Sequence, residues 1–273
     1  MIVEETYRLL KSRYAENLEK LYIDDVKIGI FLTAVRLSDD STGVASTIQS
    51  SYHICTKEKR DYGDFSPLKI KGKKVLDVLE TDKITSSIST LKCAVLNAIS
   101  STIILSGDYN ILNNTDPIQI IDLGKSKTIT VVGAFQSYIR KISASGNKLH
   151  ILEFSDEPIL PENKSMFVPA GKYAEVIPSS DIVIISGQTL VNNTIDNLLS
   201  VVSEGTQVVV TGPSGSLIPD ILFEHKVSIV GSLKINKPEI LFDVVSEGGT
   251  GYHLFEYCAE KICILQNNEL QAE

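Results

Sequence analysis

The chain has 273 residues, 43% of them hydrophobic and 22% charged, with a formal net charge of −8 and a sequence pI near 5.1. That length suits two domains with sizeable cores, and the balance is that of an ordinary soluble globular protein. The charge argues against nucleic acid as a partner, because the one basic cluster, Lys69–Lys74, is short and reads as a solvated loop. No run reads as the ~20 apolar residues of a membrane span, so no membrane partner is expected. An amino terminus carrying Glu4 and Glu5 lacks the apolar segment of a signal peptide. The cysteines, Cys55, Cys93, Cys258 and Cys263, form no Cys-x-x-Cys pair. Reduced thiols and a cytoplasmic location are the expectation.

Val3, Tyr7, Leu10, Tyr14 and Leu18 recur at helical spacing and predict an amphipathic helix. From Val26 to Ala34 the apolar residues alternate, which predicts one long strand. Asp39-Asp40-Ser41 is a turn cluster, and Thr42–Ile48 reads as the returning strand. Residues 51–73 are polar and read as a loop containing His53 and Cys55, which share one face of an extended segment. Two helices follow, one over Val75–Leu79 and one with Ile88, Leu91, Val95, Ala98 and Ile99 on a single face and Asn97 at its polar margin. Helix, hairpin and helices make residues 1–108 an α+β unit.

The polar stretch Ser106–Pro117 reads as a linker, after which the pattern changes to alternating strands and helices. Strands are predicted over Thr128–Val132, Lys148–Phe154, Asp181–Ser186, Gln207–Thr211 and Val227–Val230. Helices are predicted over Phe135–Ile142, Thr194–Val202, Leu217–His225 and Pro238–Val245. Four prolines within 155–180 leave that stretch irregular. Residues 116–273 are therefore an α/β domain, a doubly wound parallel sheet with helices on both faces and an expected strand order 3-2-1-4-5.

Ligands of such sheets sit beyond the carboxyl ends of the strands, which directs attention to the loops there. Gly212-Pro213-Ser214-Gly215-Ser216 allows close backbone approach and offers amides to an anion, and Ser214 or Ser216 is a candidate helix cap. No Gly-Lys-Ser/Thr follows, so it is no triphosphate loop. After Gly187, which opens the loop, Gln188, Thr189, Asn192, Asn193 and Thr194 form an uncharged hydrogen-bonding cluster, with Asn193 or Thr194 the candidate cap of the next helix. Gly133 opens the turn after the first α/β strand, but Gly133-Ala134-Phe135 fails the dinucleotide fingerprint G-x-G-x-x-G. Glu153 stands near the place where such folds put a ribose-binding acid, and equally suits a surface position. Metal chemistry finds little support: Glu247 and His253 are the candidates in a Gly-rich stretch, and no spacing matches a zinc site.

The runs DIVIISGQTLVNNTIDNLL, VVVTGPSGSLIPDILFEHKVSIVGS and SEGGTG, with IGIFLTAVRLSDDSTGVAST and LKCAVLNAIS before them, resemble the heavy-metal chelation domain family. The resemblance covers nearly the whole chain. It implies an amino-terminal domain like that of enolase, packed on a Rossmann-like domain, with a site in the cleft between them. The family's motif places correspond to Gly187, Thr189, Asn192, Thr194, Gly212, Pro213 and Ser214, and in the first domain to Gly43, Ala45 and Asn97.

The expected function is binding of a small molecule or metal in that interdomain cleft, as a metal ion or an anionic metal chelate. The alternative is an enzyme, a transferase or lyase, using a nucleotide-type cofactor such as adenosylmethionine in the Rossmann-like domain. The sequence leaves open whether the protein is an enzyme and whether it forms a homo-oligomer.

Overall fold

The computed structural model describes residues 1–48 and 65–266. His53 and Cys55 lie outside the described residues, as does most of the predicted 51–73 loop.

The chain begins with helix α1 (Ile2–Leu18), then strands β1 (Ile23–Ile28), β2 (Leu32–Leu37) and β3 (Thr42–Ser46), which form an antiparallel sheet in the order β1-β2-β3. The single strand expected over 26–34 is therefore a hairpin. Its turn falls at Gly29-Ile30-Phe31, where the Gly29 amide donates to the Leu32 carbonyl at 2.8 Å. The apolar alternation simply continues through the turn, which hides the break.

Helices α2 (Val75–Leu79) and α3 (Ser86–Ser106) complete this part. Thr85 caps α3 by accepting from the Ile88 amide at 3.2 Å. By length and composition α3 is apolar enough to cross a membrane, contrary to the sequence reading. Yet 67% of that apolar window is buried inside the fold, against β2 and β3. Gly43 on β3 permits the contact, since a Cβ there would overlap Ala98 N and Ala94 O of α3.

The second sheet has eight strands. In chain order they are β4 (Asn110–Asn113), β5 (Thr128–Val132), β6 (Lys148–Glu153), β7 (Phe167–Pro169), β8 (Ile182–Ser186), β9 (Gln207–Thr211), β10 (Val227–Ile235) and β11 (Ala259–Leu265). Their spatial order is β4-β11-β10-β9-β8-β5-β6-β7. Strands β5 to β10 run parallel, and β11 is antiparallel to both β10 and β4. The helices among them are α4 (Pro117–Ile120), α5 (Gln136–Ala144), α6 (Tyr173–Val176), α7 (Gln188–Val191), α8 (Ile195–Ser200), α9 (Asp220–Glu224), α10 (Pro238–Ser246) and α11 (Gly251–Tyr257).

Alternate residues of one strand enter different cores. Val183 and Ile185 join the larger cluster with α3, while Ile182 and Ile184 join a second with Tyr138, Ile139 and Ile142 of α5. Both faces are thus covered, as a parallel sheet requires. A third cluster packs Leu241, Phe242, Val245 and Leu254 of α10 and α11 onto Leu32, Ala34 and Val44 of the small sheet.

One correction governs the site. The expected order placed Asp181–Ser186 at the sheet edge and Gln207–Thr211 beside the first strand. The observed edge strand is β7, a three-residue strand in the proline-rich stretch that carries no readable period. β8 is therefore the neighbour of β5, and the direction of winding reverses between those two strands. β4, inside the stretch read as a linker, and β11 were also not foreseen.

Candidate functional site

At the reversal point the carboxyl ends of β5, β6 and β8 enclose a crevice of 460 Å³. Six of the residues singled out in the sequence line it: Gly133, Glu153, Gln188, Thr189, Asn192 and Thr194. Gly133 takes φ 109°, which turns the chain sharply out of β5 toward α5. Glu153 is the last residue of β6, and its carboxylate accepts from the Phe154 amide at 3.1 Å. Burial pushes its carboxyl above the ordinary glutamate range, and that one amide bond only partly opposes the shift. Among the described residues no Lys, Arg or His lines the crevice, so none of them gives the acid a counterion there.

The neutral cluster is partly spent on its own loop. Thr189 donates to the Ser186 carbonyl at 2.7 Å, and Asn192 Oδ1 accepts from the Thr194 hydroxyl at 2.7 Å and from its amide at 3.2 Å. Thr194 opens α8 without a side-chain cap bond, contrary to the capping expectation, because its hydroxyl is turned to Asn192. Asn193 occupies the left-handed region at φ 58° and does not line the crevice. Gln188, Asn197 and the rings of Phe135, Phe154 and Tyr173 complete the walls. Phe154, Tyr173 and Asn197 were not foreseen, since nothing in their local pattern marks them.

The 212–216 loop is placed differently. Ser214 is fully buried, and its hydroxyl accepts from the Ser46 amide at 2.8 Å and donates to the Ser46 hydroxyl at 3.0 Å. Asn97, expected at a polar margin, is 1% exposed, and its Nδ2 donates to the carbonyls of Val44 (2.8 Å), Pro213 (3.2 Å) and Ser214 (3.3 Å). Gly187 packs so closely on the loop that a Cβ would lie 2.5 Å from Gly215 N. These groups tie β3 and α3 to the large sheet, and the loop's polarity is consumed in that seam. Ser216 donates to the Pro213 carbonyl at 3.1 Å, and neither it nor Ser214 caps α9.

Beside the seam, on the side of β10 and β11, lies a hollow of 230 Å³ between the small sheet's turn and α3. Gly43, Asn97, Ser216, Ser232 and Lys234 are among its lining residues. A third hollow, of 580 Å³, adjoins Gly212 and Pro213 at the end of β9, beside Gly231 and Ser232 in the middle of β10.

Glu247 is exposed at the end of α10. His253 sits in the first turn of α11, where its Nδ1 accepts from the Thr250 amide at 3.0 Å in a capping box. Neither lines the three hollows. Among the described residues no three His, Cys, Asp or Glu side chains converge on a metal position. Burial pushes the Cys93 thiol up to about 12, and burial with the nearby Asp116 carboxylate pushes Cys263 to about 12. Both are the reverse of a ligating thiolate. The described residues therefore do not fit a protein-built site for a soft metal.

The chain belongs to the family described as "Putative heavy-metal chelation". One model of that description matches residues 116–264, and a second of the same description matches 11–100. An uncharacterized protein of Methanocaldococcus jannaschii is 24% identical over 240 residues, spanning 86% of this chain and 87% of that protein. A crystal structure of a protein of unknown function from Pyrococcus horikoshii superposes with a TM-score of 0.78 at 21% identity, covering 97% of this chain and all (100%) of that one. Another, from Desulfitobacterium hafniense, gives 0.71 at 17% identity, covering 95% and 100%. At such identities the likeness to these two structures shows the fold alone.

Proposed function

We propose that the protein binds a nucleoside-type small molecule in the crevice at the carboxyl edge of its sheet, with Glu153 accepting hydrogen bonds from the ligand's adjacent hydroxyls. The observation that carries this reading is an uncompensated, half-buried carboxylate at the end of β6, facing a crevice where the winding reverses. A carboxylate drawn out of water needs donors or a positive charge, and here it receives one bond, from the Phe154 amide, and no cation from the lining. Ribose hydroxyls, or the sulfonium of adenosylmethionine, would supply them. The rings of Phe135, Phe154 and Tyr173 offer apolar surface for a base. With no cation in the lining, a triphosphate has no side-chain counterion there.

A group-transfer enzyme is the activity class this ligand suits. A metal ion would reach the crevice only as part of the bound molecule, because among the described residues Glu153 is the one acid in its lining.

Titration calorimetry with adenosine, adenosylmethionine and 2′-deoxyadenosine tests the reading. Hydrogen bonds to a charged group contribute about 1.5–3 kcal/mol, so Glu153→Gln should weaken adenosine binding by about 10- to 150-fold. The same change should leave 2′-deoxyadenosine much less affected. Equal affinity of wild type and variant for adenosine rejects the role.

A second reading places a ligand in the 230 Å³ hollow between the two parts of the chain, as the interdomain-cleft expectation has it. Its support is that Asn97 Oδ1 and Ser232 Oγ, both in residues of that hollow's walls, are buried without hydrogen-bond partners. Elemental analysis of the purified protein and a thermal-shift series with metal salts and metal chelates separate the two readings. Stabilisation by those compounds, lost in Asn97→Ala but kept in Glu153→Gln, favours the second.

A further inference from the structure

The loop after β5 carries Gly133, Phe135 and Tyr138 at positions one, three and six of a Gly133–Tyr138 stretch. Those are the places where a dinucleotide-binding turn puts its three glycines. The first glycine makes the tight turn, and Gly133 keeps that role. The second lets the backbone approach a pyrophosphate, and here it is Phe135. The third lets helix and strand pack closely, and here it is Tyr138, whose ring lies 5.4 Å from that of Phe135 at 31°.

Phe135 lines both the Glu153 crevice and the 580 Å³ hollow, so its ring stands between them. In a doubly wound fold a dinucleotide would lie across this edge, one half on each side of the first strand's turn. The aromatic pair occupies the place where its pyrophosphate would cross.

The far hollow has its own chemistry. Thr211, Gly212 and Gly231 form its floor, and Phe135, Tyr252 and Phe255 give it aromatic walls. The buried Tyr138 phenol donates to Asp116, and Lys261 Nζ lies 2.5 Å from the other oxygen of that carboxylate. The same ammonium sits 5.0 Å from the centre of the Phe255 ring. The charge of Asp116 is thus matched inside the wall, and Glu256 stands exposed at the rim. Lys261 has three ammonium hydrogens and, among the described residues, one hydrogen-bond partner, so it retains donors for a ligand acceptor.

We propose that Phe135 divides the edge of the sheet into two subsites for two separate molecules, excluding a dinucleotide. One subsite takes the nucleoside-type ligand beside Glu153, and this part rests on the reading given under Proposed function. The other takes a small uncharged planar molecule, stacked among the aromatic walls with an acceptor atom toward Lys261.

Saturation-transfer NMR on the full chain, with adenosine and nicotinamide as probes, tests the division. Both should give signals together, with neither displacing the other. Phe255→Ala should weaken nicotinamide at least fivefold and leave adenosine unchanged, while Glu153→Gln should do the reverse. NAD⁺ should bind wild type no more tightly than adenosine, and Phe135→Gly should strengthen NAD⁺ at least tenfold, with Phe135→Leu as the bulk-retaining control. Displacement of nicotinamide by adenosine, no nicotinamide signal, or NAD⁺ binding tenfold tighter than adenosine overturns the division while the Glu153 reading stands. Failure of adenosine to bind overturns the Glu153 reading, and the pairing of subsites falls with it. The wild-type arms keep the test decisive even if Phe135→Gly does not fold.

Discussion

Asn97→Ala is the substitution whose cost the geometry defines best. Two amide hydrogens serve three carbonyls, one on β3 and two in the 213–214 turn of the other sheet. Truncation leaves the Val44 and Ser214 carbonyls short of a donor, at about 1–3 kcal/mol each, while the Pro213 carbonyl keeps the Ser216 hydroxyl. Against this, Asn97 Oδ1 is itself buried without a partner, and removing it recovers about 1 kcal/mol. The net loss is about 1–5 kcal/mol, which for a chain of this size lowers Tm by roughly 2–20 °C. Urea unfolding followed by circular dichroism reads the change in midpoint.

Asn97→Asp sharpens the test. It places a carboxylate against the same three carbonyl oxygens, and Lys234 in the wall of the adjoining hollow is already paired with Glu260 at 3.1 Å, so its folded pKa should lie above its unfolded value. The penalty is then absent below the unfolded pKa and grows as pH rises through the folded one. The aspartate variant should be less stable than the alanine variant at pH 7 and approach wild type near pH 4. A loss below about 0.5 kcal/mol for the alanine variant, or an aspartate variant no worse than alanine at neutral pH, refutes the account of this seam.

Glu153→Gln carries a stability signature as well as a binding one. Burial holds the glutamate's folded pKa above its unfolded value, so the charged form penalises the fold at neutral pH and the penalty disappears in acid. Without ligand, the variant should melt higher than wild type at pH 7 and level with it below the unfolded glutamate pKa; a difference independent of pH rejects the cause. Gly231→Ala should cost about 1–3 kcal/mol by overpacking, because its Cβ would overlap Thr211 Oγ1 and lie 2.5 Å from Pro117 Cγ; a neutral effect in urea unfolding shows that the wall yields. Cys93 and Cys263, with thiols pushed up to about 12, should escape iodoacetamide in the native protein and react after unfolding, as site-resolved mass spectrometry will show.

Strands β8 and β9 are legible in the sequence because burial on both faces leaves them as unbroken apolar runs, Ile182–Ile185 and Val208–Val210. β5 and β6 show as shorter apolar stretches broken by Thr130 and His150. The hairpin at Gly29–Phe31 is not, since Ile30 and Phe31 are 61% and 48% exposed yet apolar, so the turn looks like more strand. β7 shows how a small omission propagates. Three residues without a period displace β8 from the edge to the side of β5, and with it the crevice moves from the 212–216 loop to the 187–194 loop.

The two loops look alike in the sequence, small and polar after a strand, and that composition has two uses. A turn can present its groups to a ligand, or it can let another backbone approach. Which use applies depends on partners far along the chain: Ser214 meets Ser46 and Asn97 meets Ser214, across 168 and 117 residues. No local pattern carries that information. Glu153 and Gly133 need less of it, because strand β6 is the immediate parallel neighbour of β5 and the end of each is fixed by its own apolar run. Residues whose place follows from adjacent strands are thus the ones a sequence reading locates. Phe135 extends the point. Its ring matters because it stands where a glycine would otherwise leave a passage, and a departure from a known spacing is as informative as a match once the walls on either side are in view.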